Sequence, residues 1–460
     1  MLNSFLKSRI PEAKRLVREL RKKYDYVSVL GTVVNTRQIM VSTHLNSSDE
    51  VDNECGFVLK LYKDGRYSEY SCNDIKGLKV NEVVKAVTLD KVVSADYKVR
   101  MLEEKEHIDN YLREDNSRLS DKQIVDILTK TKEKLQKADE RVINVLTRYN
   151  KRQTSKIFVS EKKCLTQKYD WINVMTAVVV REDEIIKTNY EVEGEADSLT
   201  ALNKFEKHAD EVLDIAIKLL KAKAIKPGRY TIITDPSISG LIAHEAFGHG
   251  VEMDMFVKNR AKAKDFIGKY VASPLVNMFD GAASCVSAAS YFFDDDGVEA
   301  HNTQIIKDGI LQRGISDSLS AMQLGTEPTG NGRRQDYSHK VYTRMTNTWF
   351  GKGKDTFEDM VRSVKHGYYL CQTNNGMEDP KNWQIQCTAS YGFEIKDGKF
   401  TGKMVAPVVI SGYVIDLLNS ISMVSDKVEV LGSGMCGKGH KEWVYVSDGG
   451  PYLKAEAKLG

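Results

Sequence analysis

The sequence predicts an α+β protein of two domains, an α/β N-terminal domain at residues 1–224 and a β-rich C-terminal domain at residues 225–460. Three observations lead to this prediction. The chain has 460 residues, which is more than one hydrophobic core usually serves. The segment 223–228 separates a region of long amphipathic helices from one of short strands and Gly-rich turns. Asp-Gly pairs, which favour tight hairpins, recur in the second region.

The composition excludes several classes of protein. The 67 basic and 64 acidic residues nearly balance, so charge gives no reason to expect a nucleic acid or a membrane surface as partner. The most apolar stretch, 404–418, contains Asp416 and is shorter than the roughly 18–20 residues of a membrane span. The basic first twenty residues lack the apolar core of a secretion signal. Seven scattered cysteines without a C-x-x-C pair favour reduced thiols, and we expect a cytoplasmic protein.

Hydrophobic periodicity predicts the elements of the first domain in order. A helix begins at Pro11, and its apolar stripe runs to Tyr24. A second helix, capped by Ser120, has a stripe that extends to Tyr149, and a third occupies 199–222. Strands are predicted at 26–34, 37–42, 57–62, 67–72, 156–159, 169–181 and 184–190.

The second domain opens with a strand at 230–234, a turn, and a helix that starts at Leu241. This helix carries His244, Glu245 and His249. Two histidines with a glutamate beside the first are typical of a zinc protease helix, where the imidazoles bind the metal and the carboxylate takes a proton from metal-bound water. The pattern therefore predicts a metal site on this helix, and the competing interpretation is a buried helix with one hydrogen-bonded histidine.

The spacing of the two histidines is one residue longer than in the familiar H-E-x-x-H motif. In a regular helix, side chains five residues apart point about 140° away from each other. One π-type widening would bring His244 and His249 to within about 50° of each other. Gly248 tolerates such a distortion. The spacing therefore predicts an irregular or ending helix at residues 247–250.

Zinc catalysis normally needs a third protein ligand and leaves the fourth position to water. The Gly-rich segment 432–440 is predicted to be a loop with a thiol at its middle, and Lys438 beside the thiol would favour the thiolate. The residues alone leave several third ligands open, namely Glu252, Asp254, Cys436 and His440.

Five further motifs follow the helix in order, at residues 293–298, 306–311, 329–334, 344–347 and 435–438. Together with His244-Glu245-Ala246-Phe247-Gly248-His249-Gly250 and Glu252, they resemble the TldD/PmbA family of metallopeptidases, formerly called modulators of DNA gyrase. The resemblance runs from about residue 230 to the last residue, whereas the first domain is similar to the family only in layout and length.

The resemblance implies that His244, His249 and Cys436 hold one zinc ion per chain and that Glu245 is the general base. It also implies the catalytic, TldD-like branch, because members of the TldE/PmbA branch lack the H-E-x-x-x-H helix. The expected partner is a second subunit that closes a chamber, either in a homodimer or in a heterodimer with a metal-free TldE/PmbA-like paralogue. The family pattern has a glutamine shortly after Cys436, whereas this sequence has His440 there. The resemblance therefore does not determine which residues surround the metal ligands.

The predicted function is a zinc-dependent peptidase that hydrolyses short or unfolded peptides by means of a metal-bound water activated by Glu245. Forked guanidinium donors suit peptide carboxylates and main-chain carbonyls, and other polar side chains of the same motifs could assist them. The substrate-binding candidates are Arg333, Arg334, Tyr337, Arg344, Asn347 and His440. Two alternatives stay open, a non-catalytic protein-binding subunit with a structural metal and a metal-dependent hydrolase of non-peptide amides.

Overall fold

The computed structural model describes residues 1–87, 103–439 and 441–460. Its α-helices are α1 Ser4–Leu20, α2 Val80–Ala86, α3 Asp121–Ala138, α4 Ser198–Leu219, α5 Pro236–Ala243, α6 Met253–Val257, α7 Ser318–Leu324, α8 Phe357–Arg362 and α9 Val414–Asn419. A π-helical turn at His244–Gly248 and 3-10 turns at His249–Val251 and Lys262–Phe266 complete the helical segments. Nowhere in these ranges is a helix both long and apolar enough to cross a membrane.

The strands of the first half are β1 Tyr26–Ser42, β2 Asn46–Lys63, β3 Arg66–Cys72, β4 His107–Arg113, β5 Val142–Val159, β6 Lys163–Glu182 and β7 Ile185–Glu195. Those of the second half are β8 Gly228–Thr234, β9 Met278–Asp280, β10 Thr303–Lys307, β11 Ile310–Leu311, β12 Gly332–Arg333, β13 Tyr342–Thr343, β14 Asn347–Phe350, β15 His366–Asp379, β16 Gln384–Lys396, β17 Lys399–Val405, β18 Val408–Tyr413, β19 Met423–Val424, β20 Glu429–Lys438, β21 Lys441–Gly450 and β22 Leu453–Leu459.

The first half forms one sheet in the order β3-β2-β1-β5-β6-β4, with β7 also paired to β6. Alternate residues of the long strands point to opposite faces. One face packs against α1, α3 and α4, through core residues such as Leu16, Leu128 and Phe205. The other face, which includes Leu30 and Phe158, turns toward the second half of the chain. The sheet thus separates a helical layer from the surface that meets the second half.

Two helix predictions for the first half are wrong at one end. α1 begins at Ser4, where the Asn3 side chain caps it, so Pro11 lies inside the helix and does not start it. α3 is capped by Ser120 as predicted, but it ends at Ala138, and the residues up to Tyr149 belong to β5. Buried residues of β5 recur at three- and four-residue spacings as well as at two, and this coincidence imitates a helical stripe.

The second half contains two larger sheets, in the orders β11-β10-β9-β14-β21-β20 and β15-β8-β22-β18-β16-β17, and the small pair β12-β13. Helix α5 contacts β14, β20 and β21 of one sheet and β15 of the other. The predicted α+β fold class, with a β-rich second half that carries the motif helix, is confirmed. All strands of the first sheet come from residues 26–195 and those of the other sheets from 228–459, which supports the division at residue 224 as a proposal.

The turn Asp294-Asp295-Asp296-Gly297 joins the two halves. Asp296 pairs with Lys60 of β2, and Asp295 pairs with Lys156 of β5. The carbonyl of Gly297 accepts a hydrogen bond from Lys163 Nζ at 2.7 Å. Gly297 has φ of +72°, and a Cβ there would lie 2.4 Å from the Phe158 ring. This turn therefore fixes the second half against the open face of the first sheet.

Candidate metal centre

The H-E-x-x-x-H segment follows α5, which is capped by the Asp235 side chain. At His244 the helix widens into a π turn that ends at Gly248, and a 3-10 turn begins at His249. The predicted irregularity at the end of this helix is confirmed. The two imidazole rings lie perpendicular with their centroids 5.1 Å apart, so the widened turn brings both histidines to one side.

Two glycines allow this segment to pack closely. A Cβ at Gly248 would lie 2.0 Å from Met345 Sδ, and a Cβ at Gly376 of β15 would lie 2.5 Å from Glu245 Cγ. Any larger residue at either position would displace the π turn or the Glu245 side chain. Because these two glycines have no side chains, Glu245 can lie beside the histidines.

Cys436 lies in β20, paired with Val444 of β21, and not in the Gly-rich loop that the sequence predicts. Its carbonyl accepts a hydrogen bond of 2.8 Å from Arg344 Nη2. Its Sγ lies 3.3 Å from His249 Nε2, and one ligand atom from each of His244, His249 and Cys436 lies within 4.8 Å of the others. The structure thus brings together all three predicted metal ligands from segments almost two hundred residues apart.

The charges of the three side chains stabilise one another. Burial favours the neutral Cys436 thiol, but His249 and His244 outweigh it and lower the pKa of Cys436 to about 4. Burial likewise favours neutral His244, yet the Cys436 thiolate raises the pKa of His244 to about 9. Lys438, which the sequence suggested as the group that favours the thiolate, donates instead to Glu252 and Asp254. The two imidazoles are therefore the groups that favour the thiolate.

This donor set fits a zinc ion. His244 Nδ1 is buried and has no hydrogen-bond partner among the described residues, as expected of an atom that a metal or a ligand satisfies. A tetrahedral zinc ion places its nitrogen and sulfur ligands about 3.3–3.8 Å apart, and the distance of 3.3 Å between Cys436 Sγ and His249 Nε2 agrees with this. A thiolate with two imidazoles also suits zinc better than magnesium or calcium.

Glu252 and Asp254, two of the alternative ligands, share Lys438 as a partner. Lys438 Nζ lies 3.0 Å from Glu252 Oε2 and 2.8 Å from Asp254 Oδ1. Glu252 Oε2 also lies 3.5 Å from His249 Nδ1, the ring nitrogen opposite the one that faces Cys436. Glu252 is therefore placed to orient the His249 ring. The three-residue spacing from His249 was the only sequence signal for this role. His440 lies outside the described residues.

Two more carboxyl groups border the site. Glu245 is largely buried, and its side chain forms no ion pair within the parts of the chain that the structure describes. Glu378 of β15 also has both carboxylate oxygens buried without a partner in those parts, and a Cβ at Gly250 would lie 2.9 Å from Glu378 Oε1. Burial raises the pKa of Glu378 well above its usual range. No motif marks Glu378, and sequence reasoning missed it.

Two of the predicted substrate-binding residues bond across to the first half of the chain. Arg334 pairs with Glu69 at 3.2 Å, and the Tyr337 hydroxyl donates to Asn73 Oδ1 at 2.8 Å. Arg333 differs from them, because its carbonyl partner belongs to its own half and no carboxylate pairs with it among the described residues. Arg334 and Tyr337 thus stabilise the junction between the halves.

Arg344 and Asn347 are fully buried near the metal ligands. Arg344 holds the Cys436 strand through the carbonyl of Cys436. Asn347 Nδ2 donates to the carbonyl of Gly281 at 3.0 Å and to Ser290 Oγ at 2.9 Å. Arg344 therefore supports the site from inside the fold, whereas the Asn347 side chain bonds to residues outside it, and the predicted contact of both with substrate stays a prediction.

Comparison with known proteins identifies relatives of this fold and site. Residues 227–457, half of the chain, match a family model described as the PmbA/TldA metallopeptidase C-terminal domain. A metalloprotease of Synechocystis sp. is 29% identical over 70% of this chain and 69% of its own length. A metalloprotease TldD homolog of Haemophilus influenzae is 36% identical, and a zinc metalloprotease TldD homolog of Saccharolobus solfataricus is 32% identical. These two matches cover 54% and 52% of this chain and about half of each relative, 51% and 53%.

Solved structures share the fold over nearly the whole chain. A protein from Thermotoga maritima described as a modulator of a DNA gyrase is 20% identical with a TM-score of 0.76, over 98% of this chain and 99% of that one. TldE from Thermococcus kodakarensis is 18% identical with a TM-score of 0.76, over 97% of this chain and 99% of that one. The family model, which matches half of the chain and includes the H-E-x-x-x-H helix and Cys436, shows that this protein belongs to the TldD/PmbA family.

Proposed function

We propose that this protein is a zinc-dependent peptidase that hydrolyses short or unfolded peptides. The observation that carries the proposal is the convergence of His244, His249 and Cys436 beside Glu245, a largely buried residue whose side chain forms no ion pair among the described residues. The names of its relatives, which are metalloproteases and in one case a zinc metalloprotease, support the same reaction class.

Each residue of the site has a separate role in the proposed reaction. His244, His249 and Cys436 would hold one zinc ion per chain. Bound zinc supplies a Lewis acid that polarises the substrate carbonyl and lowers the pKa of water. Glu245 accepts the proton of the attacking water as general base and delivers it to the leaving amine. Glu252 orients His249.

The proposal includes a partner subunit and a location. The fold shared with TldE supports either a homodimer or a heterodimer with a TldE/PmbA-like chain. All seven cysteines are unpaired, which supports a reducing, cytoplasmic environment.

The first test measures metal per chain by mass spectrometry on protein purified without chelator. We expect about one zinc per chain in the wild type and a loss of zinc in Cys436→Ala, because two imidazoles alone bind zinc weakly. Cys371→Ala, which removes a buried cysteine outside the site, is the matched control and keeps its zinc. Zinc retained in Cys436→Ala would remove Cys436 from the ligand set.

The second test separates a peptidase from the two alternatives. In Glu245→Gln we expect zinc to remain while cleavage of a mixture of unstructured peptides falls by about 10²-fold or more. A structural metal in a binding subunit predicts instead that Glu245→Gln changes nothing. A hydrolase of non-peptide amides predicts that the wild-type protein leaves every peptide of the mixture intact.

A further inference from the structure

A cavity of about 530 Å³ lies between the open face of the first sheet and the β20–β21 hairpin. Strands β1, β2, β5 and β6 form one wall, and the hairpin with residues 333–336 forms the other. Met435 and Tyr445, which are paired across the hairpin, line the cavity. Val444, the cross-strand partner of Cys436, also lines the cavity, whereas none of the three metal ligands does. The cavity therefore adjoins the strand that carries Cys436 but is not lined by the metal ligands.

The basic side chains of the cavity fall into two groups. Lys156 pairs with Asp295, and Arg334 pairs with a glutamate of β3. Arg152 and Arg333 have no carboxylate within ion-pair distance in the described parts of the chain. Each lies instead over an aromatic ring, Arg152 at 4.7 Å from the Tyr445 centroid and Arg333 at 5.6 Å from the Tyr291 centroid. Two guanidinium groups thus face the cavity without a counter-ion.

The remaining acidic side chains do not supply that counter-ion. Asp294 accepts three backbone N–H groups, and burial raises its pKa well above the usual range. Asp336 pairs with His339 at 2.8 Å. Glu54 accepts the Tyr337 N–H at 3.1 Å, and burial raises the pKa of Glu54 to about 7 although the charges of Lys156 and Arg152 lower it, so Glu54 compensates Arg152 only in part. Because neither Arg152 nor Arg333 forms an ion pair in the described parts of the chain, both can pair with a ligand that brings a carboxylate of its own.

The walls also favour an apolar or aromatic group. Tyr169, Trp171, Tyr291, Trp443 and Tyr445 line the cavity, and 44% of the Trp443 surface is exposed. Exposed aromatic side chains beside unpaired arginines are typical of surfaces that bind peptides. A small carboxylic acid could pair with the arginines, but it would leave most of the aromatic wall uncovered.

We propose that this cavity binds a peptide carboxylate through Arg152 and Arg333, with an apolar or aromatic residue of the same peptide against Trp443 and Tyr445. The choice of a peptide as the source of the carboxylate rests on the proposed function. The carboxylate belongs either to the peptide's C-terminus or to an acidic side chain. In both cases the protein contacts the peptide at a place separate from the metal ligands.

Three probe peptides distinguish the sources of the carboxylate. Acetyl-Ala-Ala-Phe with a free C-terminus has a terminal carboxylate, acetyl-Ala-Asp-Phe-amide has a side-chain carboxylate, and acetyl-Ala-Asn-Phe-amide has none. Binding is measured by calorimetry and by tryptophan fluorescence on the zinc-loaded full-length Glu245→Gln protein, so that cleavage does not disturb the titration. Two of the four tryptophans, Trp171 and Trp443, line the cavity and report on it.

We expect at least one carboxylate peptide to bind about tenfold more tightly than the peptide without a carboxylate. Arg152→Gln and Arg333→Gln should each abolish that difference and leave the weak binding of acetyl-Ala-Asn-Phe-amide unchanged. Arg148→Gln, on the same strand as Arg152 but outside the cavity, should bind like the parent protein. Circular dichroism and thermal unfolding verify that each variant is folded.

The outcomes separate this inference from the proposed function. Equal binding of all three peptides, or a carboxylate preference that survives both arginine substitutions, overturns the assignment of the cavity even if the wild-type protein cleaves peptides. A preference that depends on both arginines supports the assignment even if the wild-type protein cleaves none. A free C-terminus preferred over the aspartate peptide identifies a site for peptide ends, and the reverse preference identifies a site for acidic side chains.

Discussion

At the scale of single residues, Glu252 lies between the metal ligand His249 and two cationic side chains. It is almost fully buried between His249 and Lys438, and Arg344 Nε lies 3.4 Å from its Oε1. Burial favours the protonated acid, but the adjacent cations, Lys438 foremost, lower the pKa of Glu252 well below its usual range. The carboxylate is therefore ionised and can orient the His249 ring.

Glu252→Gln is expected to weaken zinc binding by about 10–100-fold, because the amide attracts the His249 Nδ1–H less strongly than the carboxylate does. Competition with a chromogenic chelator measures this affinity. Asp254→Asn is the matched control, since Asp254 shares Lys438 but does not contact His249, and it should stay within about threefold of wild type. Equal losses in both variants would show that the charge of the cluster matters and the contact with His249 does not.

The sequence predicted the residues of the motifs better than their surroundings. His244, Glu245 and His249 are identified by spacing, and Cys436 by resemblance, because these side chains stand in short recognisable segments. Glu378 could not be found in this way. It reaches the site only because β15 packs beside the π turn, and contacts between distant segments leave no local pattern.

At the scale of secondary structure, the π turn depends on the shape of its neighbours. Gly248 lies at the end of the turn, against the fully buried side chain of Met345. A methyl group has no space there because its carbon would lie 2.0 Å from Met345 Sδ. The irregular helix end is therefore fixed by packing as well as by the spacing of the histidines.

Gly248→Ala is expected to lower the free energy of unfolding by about 1–3 kcal/mol through overpacking. Met345→Ala is expected to lower it by about 2–5 kcal/mol through the cavity it leaves. The double variant should lose less than the sum, since the shortened side chain makes room for the methyl group. Urea unfolding of the metal-free proteins measures all three. Gly434→Ala, whose new Cβ would have its nearest neighbour at 3.8 Å, is the control, and strict additivity in the double variant would refute the predicted clash.

Helices and strands were predictable from the sequence where the apolar residues followed a single spacing, either that of a helix or that of a strand. The predicted strands 57–62 and 67–72 pair with each other, and Ser120 caps α3 as predicted, because turn and cap residues act locally. Residues 142–149 were assigned to the wrong element, since their apolar spacing fits a helix and a strand equally. Cys436 lies in a strand because β20 pairs with β21, and a glycine-rich segment gives little indication of such pairing.

At the scale of the whole molecule, one polar turn couples the two halves. The sequence identified residues 293–298 only as one of the family motifs and not as a junction, because Lys60 and Lys156, the partners of its carboxylates, lie far away in the chain. The same contact positions the open face of the first sheet against the β20–β21 hairpin and so determines the size of the cavity between them. Stability and the proposed peptide site therefore depend on the same junction.

Lys60→Met tests that dependence. Asp296 is almost fully buried and Lys60 largely so, and removal of one partner from a buried ion pair leaves an uncompensated charge. We expect a loss of about 3–5 kcal/mol in the free energy of unfolding, measured by urea titration of the metal-free protein with circular dichroism. Lys134→Met removes an exposed ion pair with Asp210 and should cost at most about 1 kcal/mol. If the two variants lose equal stability, the ion pair between Lys60 and Asp296 does not couple the halves, and the other contacts of the junction, such as the Lys156–Asp295 pair and the packing around Phe158, account for the coupling.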